Sequence, residues 1–185
     1  MKPKPILISF TNGQELYMVT QVGLMRKLVG RKRGLAHAHN YQGDDRWSMD
    51  IESAASEAAV AKALNLYWSP GGVRATADVG DLVQVRWSSR PNARLILHNE
   101  DTDLQPFVLV TGTVPNFAVV GWILGSEGKQ EKYWSDPGTG RPAYFVPQDE
   151  LKDMTLLRRS ILRAKLQELE DGETASRGTA EPSAG

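Results

Sequence analysis

An α+β fold is what the patterning of this chain predicts. Apolar residues recur at spacings of three and four over residues 14–29 and 50–68. From about residue 73 to residue 124 the period drops to two, with β-branched and aromatic residues prominent. Helical spacing then returns after about residue 150. Helices gathered on either side of a run of strands argue for one mixed or antiparallel central sheet flanked by helices.

The 185 residues suit one domain that can bury a core without covalent staples. The ordered domain is expected over residues 5–170. From Asp171 the chain is mostly Gly, Glu, Thr, Ala and Ser with almost nothing to bury, so 171–185 is expected to be a disordered tail. No internal repeat is visible. The absence of cysteine removes disulfides, thiolate catalysis and cysteine-ligated zinc. No stretch resembles a signal peptide or reaches the length of a membrane span, so a cytoplasmic protein is expected. Net charge is zero, and any nucleic-acid footprint must therefore be local.

Pro5 to Phe10 is a short apolar segment, and Thr11-Asn12-Gly13 is a turn or helix start. The first helix carries Leu16, Val19, Val22 and Gly23 on one face, which Met25 and Leu28 extend. Its end is basic: Arg26, Lys27, Arg31, Lys32 and Arg33 are five of eight residues, with His37, His39 and Arg46 beyond. Such a run either meets phosphates with salt-dependent affinity or is a solvated helix end that favours the helix dipole. Both readings stand. Residues 35–49 lack periodicity and suggest a loop.

The second helix is expected over Asp50–Trp68, with Ala54, Glu57, Ala61, Leu64 and Trp68 on its apolar stripe and Ser69-Pro70-Gly71-Gly72 ending it. Glu57 is the unusual member. A carboxylate on a buried stripe needs a pairing cation, a metal, or a place at the stripe's flank. Strand-like segments follow at 73–77, 82–88, 93–98, 106–112 and 117–124, with turns at Asp101–Asp103 and Val114–Asn116, and one more edge strand near Ala143–Val146. The last helix, ending near Glu170, turns Leu151, Leu156, Leu157, Ile161 and Leu166 inward.

Over Leu82–Trp87, alternation places Gln84 and Arg86 on one face and Val83, Val85 and Trp87 on the other. Asp78 precedes this strand across a tight Val-Gly-Asp turn, and Glu57 could join from the packed helix. Oxygen ligands with open water positions suit Mg²⁺ or Mn²⁺. Such an ion lowers the pKa of a bound water and stabilises charge on a phosphorane, while Arg86 could hold a phosphate.

These segments resemble the PD-(D/E)xK superfamily of restriction-endonuclease-like nucleases, in particular a group of small proteins encoded by phages and prophages. The likeness covers about Gly34 to Leu151. It includes the helix around Glu57, the Ala77-Asp78-Val-Gly segment, the strand ending in Val85-Arg86, and the runs from Pro106, Val120 and Gly140. The resemblance implies a Mg²⁺-dependent (or Mn²⁺-dependent) hydrolase acting on DNA in a host cytoplasm. Asp78 matches the first acidic metal ligand and Glu57 the helix glutamate that many members add. Gln84 stands where the second acid is usual, and Arg86 where lysine is usual. The glutamine carbonyl can ligate a cation without adding charge. The arginine stays protonated near neutral pH, so it can orient water or stabilise a transition state but is no general base.

Elsewhere, Lys129 and Lys132 follow the strand expected at 117–124 and either approach bound DNA or belong to an exposed hairpin exit. Tyr133 and Trp134 could stack on a base or cap a core, whereas Trp47 and Trp122 suit packing. His37 and His39 lack a matched third ligand, His98 shapes an acidic loop, and Asp101-x-Asp103 lacks the spacing of a calcium loop. Two readings from different classes follow: a DNA nuclease that works as a homodimer if it cuts both strands, or a catalytically silent relative that binds DNA or a host or phage protein. A virion accessory part is a third.

Overall fold

The computed structural model describes residues 3–32, 46–68, 77–138 and 140–178, without the side chains of 31, 46 and 172–178. The expectations placed on Arg33, His37, His39, residues 69–76 and residues 179–185, and on the side chains of Arg31 and Arg46, lie outside these residues. Two compact units are present, residues 1–154 and the segment from Thr155 onward.

The first unit opens with strand β1 (Ile6–Ser9), helix α1 (Gly13–Lys32) and helix α2 (Arg46–Leu64). Strands β2 (Gln84–Ser88), β3 (Leu95–Leu97), β4 (Pro106–Thr113) and β5 (Asn116–Leu124) follow. A one-turn helix α3 (Gly125–Gly128) leads to β6 (Trp134–Ser135) and β7 (Ala143–Val146). The unit is α+β with a mixed sheet, as the periodicity predicts. Its main sheet runs β1-β5-β4-β2, with β2 parallel to β4 and the other pairs antiparallel.

Three details depart from expectation. The opening apolar segment is itself a strand, the edge partner of β5. Leu95–Leu97 does not join the main sheet but forms a second, antiparallel sheet in the order β3-β7-β6. Ala143–Val146 is therefore a central strand rather than an edge one. The reason lies in side-chain direction: Leu95, Leu97 and Val146 pack face-on against Phe107, Leu109, Val120 and Ile123 of the main sheet. Burial there is nearly complete, so the small sheet is a layer over the large one.

Helix α2 contacts β1, β2, β4 and β5. Because the small sheet occupies one face of the main sheet, α2 occupies the other. Its alanine run Ala54, Ala55, Ala58, Ala59, Ala61 and Ala63 is buried around Val60. The helix ends earlier than the Ser-Pro-Gly-Gly signal suggested. Asn65 takes a left-handed φ of 55°, and the Leu66 amide donates to the Ala61 carbonyl at 2.9 Å, which satisfies a terminal acceptor without proline or glycine.

Helix α1 begins as predicted, with Asn12 Oδ1 accepting from the Gln14 amide at 2.9 Å. Its inward stripe differs from the predicted one. Val19, Gly23 and Lys27 are buried, while Met25 and Leu28 are 56% and 46% exposed. Gly23 sets this stripe, because a Cβ there would lie 2.5 Å from the Ile51 Cα. The two helices meet backbone to backbone at that point, and the next turn of α1 carries Arg26 and Lys27 over α2.

Helix α4 (Met154–Gly178) forms the body of the second unit and continues past the Glu170 end that composition suggested. Of its leucines expected to turn inward, Leu157 is buried, but Leu156 and Leu166 are about half exposed. No helix among the described residues is long and apolar enough to cross a membrane.

Candidate functional site

Glu57 lies in the middle of α2 at 5% exposure. Both of its oxygens are taken by the Arg26 guanidinium, Nη1 to Oε1 at 2.6 Å and Nη2 to Oε2 at 2.7 Å. The Trp68 indole also donates to Oε2, at 3.3 Å. Of the ways a stripe glutamate can be satisfied, this protein uses a bidentate arginine. Among the described residues, the buried Arg26 Nε has no hydrogen-bond partner.

Asp78 sits beside the edge strand β2. Its Oδ2 accepts from the Val85 amide at 2.8 Å, across a hairpin in which Gly80 and Asp81 have φ of 59° and 55°. Val79 and Val83 close that hairpin, so the tight turn read from the sequence is present. Burial pushes the Asp78 carboxyl above the usual carboxylate range, against the Val85 bond and the charges of Arg86 and Arg26. Burial raises Glu57 as well; Arg26 opposes the shift, and the charge of Asp78 adds to it. The two carboxylates therefore feel each other, and Arg26 feels both.

The remaining members of the predicted constellation point elsewhere. Gln84 and Arg86 share the face of β2 that meets the small sheet. The Arg86 guanidinium lies 5.0 Å from the Phe107 ring centre and donates to the Ile96 carbonyl and to Asp101 Oδ1, at 3.2 and 2.7 Å. Gln84 Nε2 donates to Gln105 Oε1 at 3.3 Å. Glu57 approaches from the opposite face, with α2. Asp78, at the sheet's edge, is the one member in electrostatic reach of both arginines. The charge of Asp78 thus reaches Glu57, while Gln84 and Arg86 lie across the sheet from Glu57.

A divalent cation, which the resemblance implies, needs free oxygen donors converging on one point. Glu57 has both oxygens engaged by a cationic group, and Gln84 is on the other side of the sheet. Among the described residues no group of three His, Cys, Asp or Glu side chains could hold a metal ion. As arranged here, Glu57 and Gln84 do not converge on one cation position, because they approach from opposite faces of the sheet.

The basic residues expected at phosphates are largely occupied. Besides Arg26, Lys27 is 4% exposed and reaches Asp50 at 3.0 Å. Lys129 donates to the carbonyls of Asn99 and Asp101 and pairs with Asp103, clipping the 98–104 loop. Lys132 lies over the Tyr133 ring and 3.5 Å from Glu150. Lys32 is exposed. Tyr133 is buried with its hydroxyl on Glu150, and Trp134 packs against Tyr144. Trp122 is buried as expected, but Trp47 is 37% exposed.

Residues that the sequence reading missed include Asp101 as the partner of Arg86 and Trp68 as a donor to Glu57. A signal existed for Arg26: it lies three residues after Gly23 and seven after Val19, on the inward stripe. Comparison with protein-family models, with curated proteins and with solved structures finds no match.

Proposed function

We propose that this chain is a non-hydrolytic protein-binding module, built on an architecture that resembles the PD-(D/E)xK nucleases. The observation that supports this reading is the bidentate Arg26–Glu57 pair, with Arg86 turned to Asp101 on the far face of the sheet. Each arginine answers a carboxylate: Arg26 holds the buried Glu57, and Arg86 holds the half-buried Asp101. That arrangement supports the fold and engages both Glu57 oxygens with a cationic side chain. The acid partners of Lys27, Lys129 and Lys132 weaken the case for a phosphate-binding surface at those residues.

A protein partner is favoured by the outward side of α1. Tyr17, Met18, Met25 and Leu28 are 46–65% exposed and lie within about 100° of the helix circumference at 3.6 residues per turn. Aromatic and methionine side chains concentrated in this way are typical of protein contact surfaces.

Metal-dependent phosphodiester hydrolysis is the second reading. The mutual influence of Glu57 and Asp78 favours it, because paired buried carboxylates with raised pKa values concentrate at functional sites. One experiment separates the two. The protein is titrated with Mg²⁺ and Mn²⁺ by calorimetry and incubated with linear, nicked, branched and single-stranded DNA. The binding-module reading expects no saturable cation binding and no cleavage. Cleavage that is lost in Asp78→Asn, a variant that keeps an acceptor for the Val85 amide, would establish the nuclease instead.

A further inference from the structure

Helix α4 carries a row of exposed leucines along one of its sides. Leu162, Leu166 and Leu169 follow one another at spacings of four and three, and are 58%, 51% and 66% exposed. That spacing gives a seam along one side of a helix, the register by which helices pair. Leu157, which is buried, lies on the other side.

The charges on this helix are polarised along its length. Arg158, Arg159, Arg163 and Lys165 occupy its first half, all exposed. Glu168, Glu170 and Asp171 follow. This order opposes the helix dipole, which favours acids near the N-terminus and bases near the C-terminus. Arg159 and Arg163 are also like charges four apart, which is unfavourable on an isolated helix. Local helix energetics therefore give no reason for the pattern, and a complementary surface does.

We propose that α4 pairs antiparallel with α4 of a second copy of this chain, with the leucine seam as the contact. Antiparallel pairing sets the basic half of each helix against the acidic half of the other. With Leu166 of one copy level with Leu169 of the other, Arg163 and Glu170 flank the seam on the same side. The two-fold axis then forms two reciprocal Arg163–Glu170 pairs. Parallel pairing would set basic half on basic half. A nucleic acid would satisfy the four basic residues but leave the leucines uncovered. Three leucines per copy make a contact smaller than a standard interface of roughly 800 Å² per partner, so the association is concentration-dependent. This inference does not rest on the binding-module reading, because it involves neither the Arg26–Glu57 cluster nor the α1 surface.

The test is sedimentation velocity of the full chain at rising concentration, with circular dichroism to verify folding. The wild type is expected to move from the 20.4 kDa monomer toward twice that mass. Leu166→Glu should remain monomeric. Arg163→Glu and Glu170→Arg should each weaken the dimer about tenfold or more, and the double swap Arg163→Glu/Glu170→Arg should restore it. A wild type that stays monomeric throughout overturns the proposal, as does a dimer indifferent to Leu166→Glu or a double swap that fails to rescue. Retention of monomer mass together with salt-sensitive binding of duplex DNA that needs Arg158 and Arg159 would also overturn it, in favour of a phosphate surface.

Discussion

Burying Glu57 at 5% exposure is tolerable only while Arg26 stays on it, because an unpaired buried carboxylate carries its full desolvation penalty. Arg26→Met should therefore lose about 3–5 kcal/mol, the usual cost of removing one partner of a buried pair. Adding Glu57→Gln should recover part of that loss; urea denaturation of the single and double variants measures both. The pH dependence at Asp78 follows from its raised carboxyl. The folded state holds this proton more tightly than the unfolded chain does. Its contribution to stability is accordingly complete below the ordinary aspartate range and declines as pH rises through the raised value. Asp78→Asn should flatten that decline, visible in urea midpoints collected across mildly acidic pH. The strand alternation around Gln84 was legible, but its consequence was not drawn. Val83, Val85 and Trp87 face the packed helix, so Gln84 and Arg86 had to face away from Glu57. Long polar side chains carry no periodic signal that names their partners, and Asp101 was invisible as the partner of Arg86 for that reason.

Elements were legible in proportion to their length. Helices α1 and α2 and strands β4 and β5 are long enough for periodicity to speak, and each lies close to its expected place. Strand β1 has four residues, too few to distinguish a strand from an apolar loop, whereas β3 falls inside the strand expected at 93–98 but in a different sheet. The stacking of β3 and β7 over the main sheet is a tertiary fact that no short window contains. The α1–α2 crossing offers a clear test of which effect dominates. Gly23→Ala gains about 1 kcal/mol of helix propensity, but the new Cβ would meet the Ile51 Cα at 2.5 Å. That contact is with backbone, which cannot rotate away, so a net loss of about 1–3 kcal/mol is expected. A gain in thermal midpoint would show that the helices can part freely.

At the scale of the whole chain, the main sheet is shared by two apolar layers, the α2 side around Val60, Val108 and Val110 and the small-sheet side around Leu97, Phe107 and Leu109. A strand such as β4 contributes alternate residues to both. Loss of either layer therefore removes support from the other, and the first unit should unfold in one transition. Leu97→Ala, at a fully buried position, should cost about 2–5 kcal/mol. Fluorescence and far-ultraviolet dichroism should report the same midpoint; separate midpoints would mean the layers are independent.

The bond from the Val85 amide to Asp78 also bears on solubility. β2 is an outer strand of the main sheet, and with β4 on its inner side this amide faces outward. An outward row of free amides is a template for another chain's strand. The carboxylate of Asp78 and the hairpin behind it block that template where it begins. At the opposite border β1 has no such cover, and Leu7 is 79% exposed there. Asp78→Ala would remove that block and make the protein prone to aggregate by strand addition, whereas Asp78→Asn, which keeps an acceptor for the Val85 amide, should not.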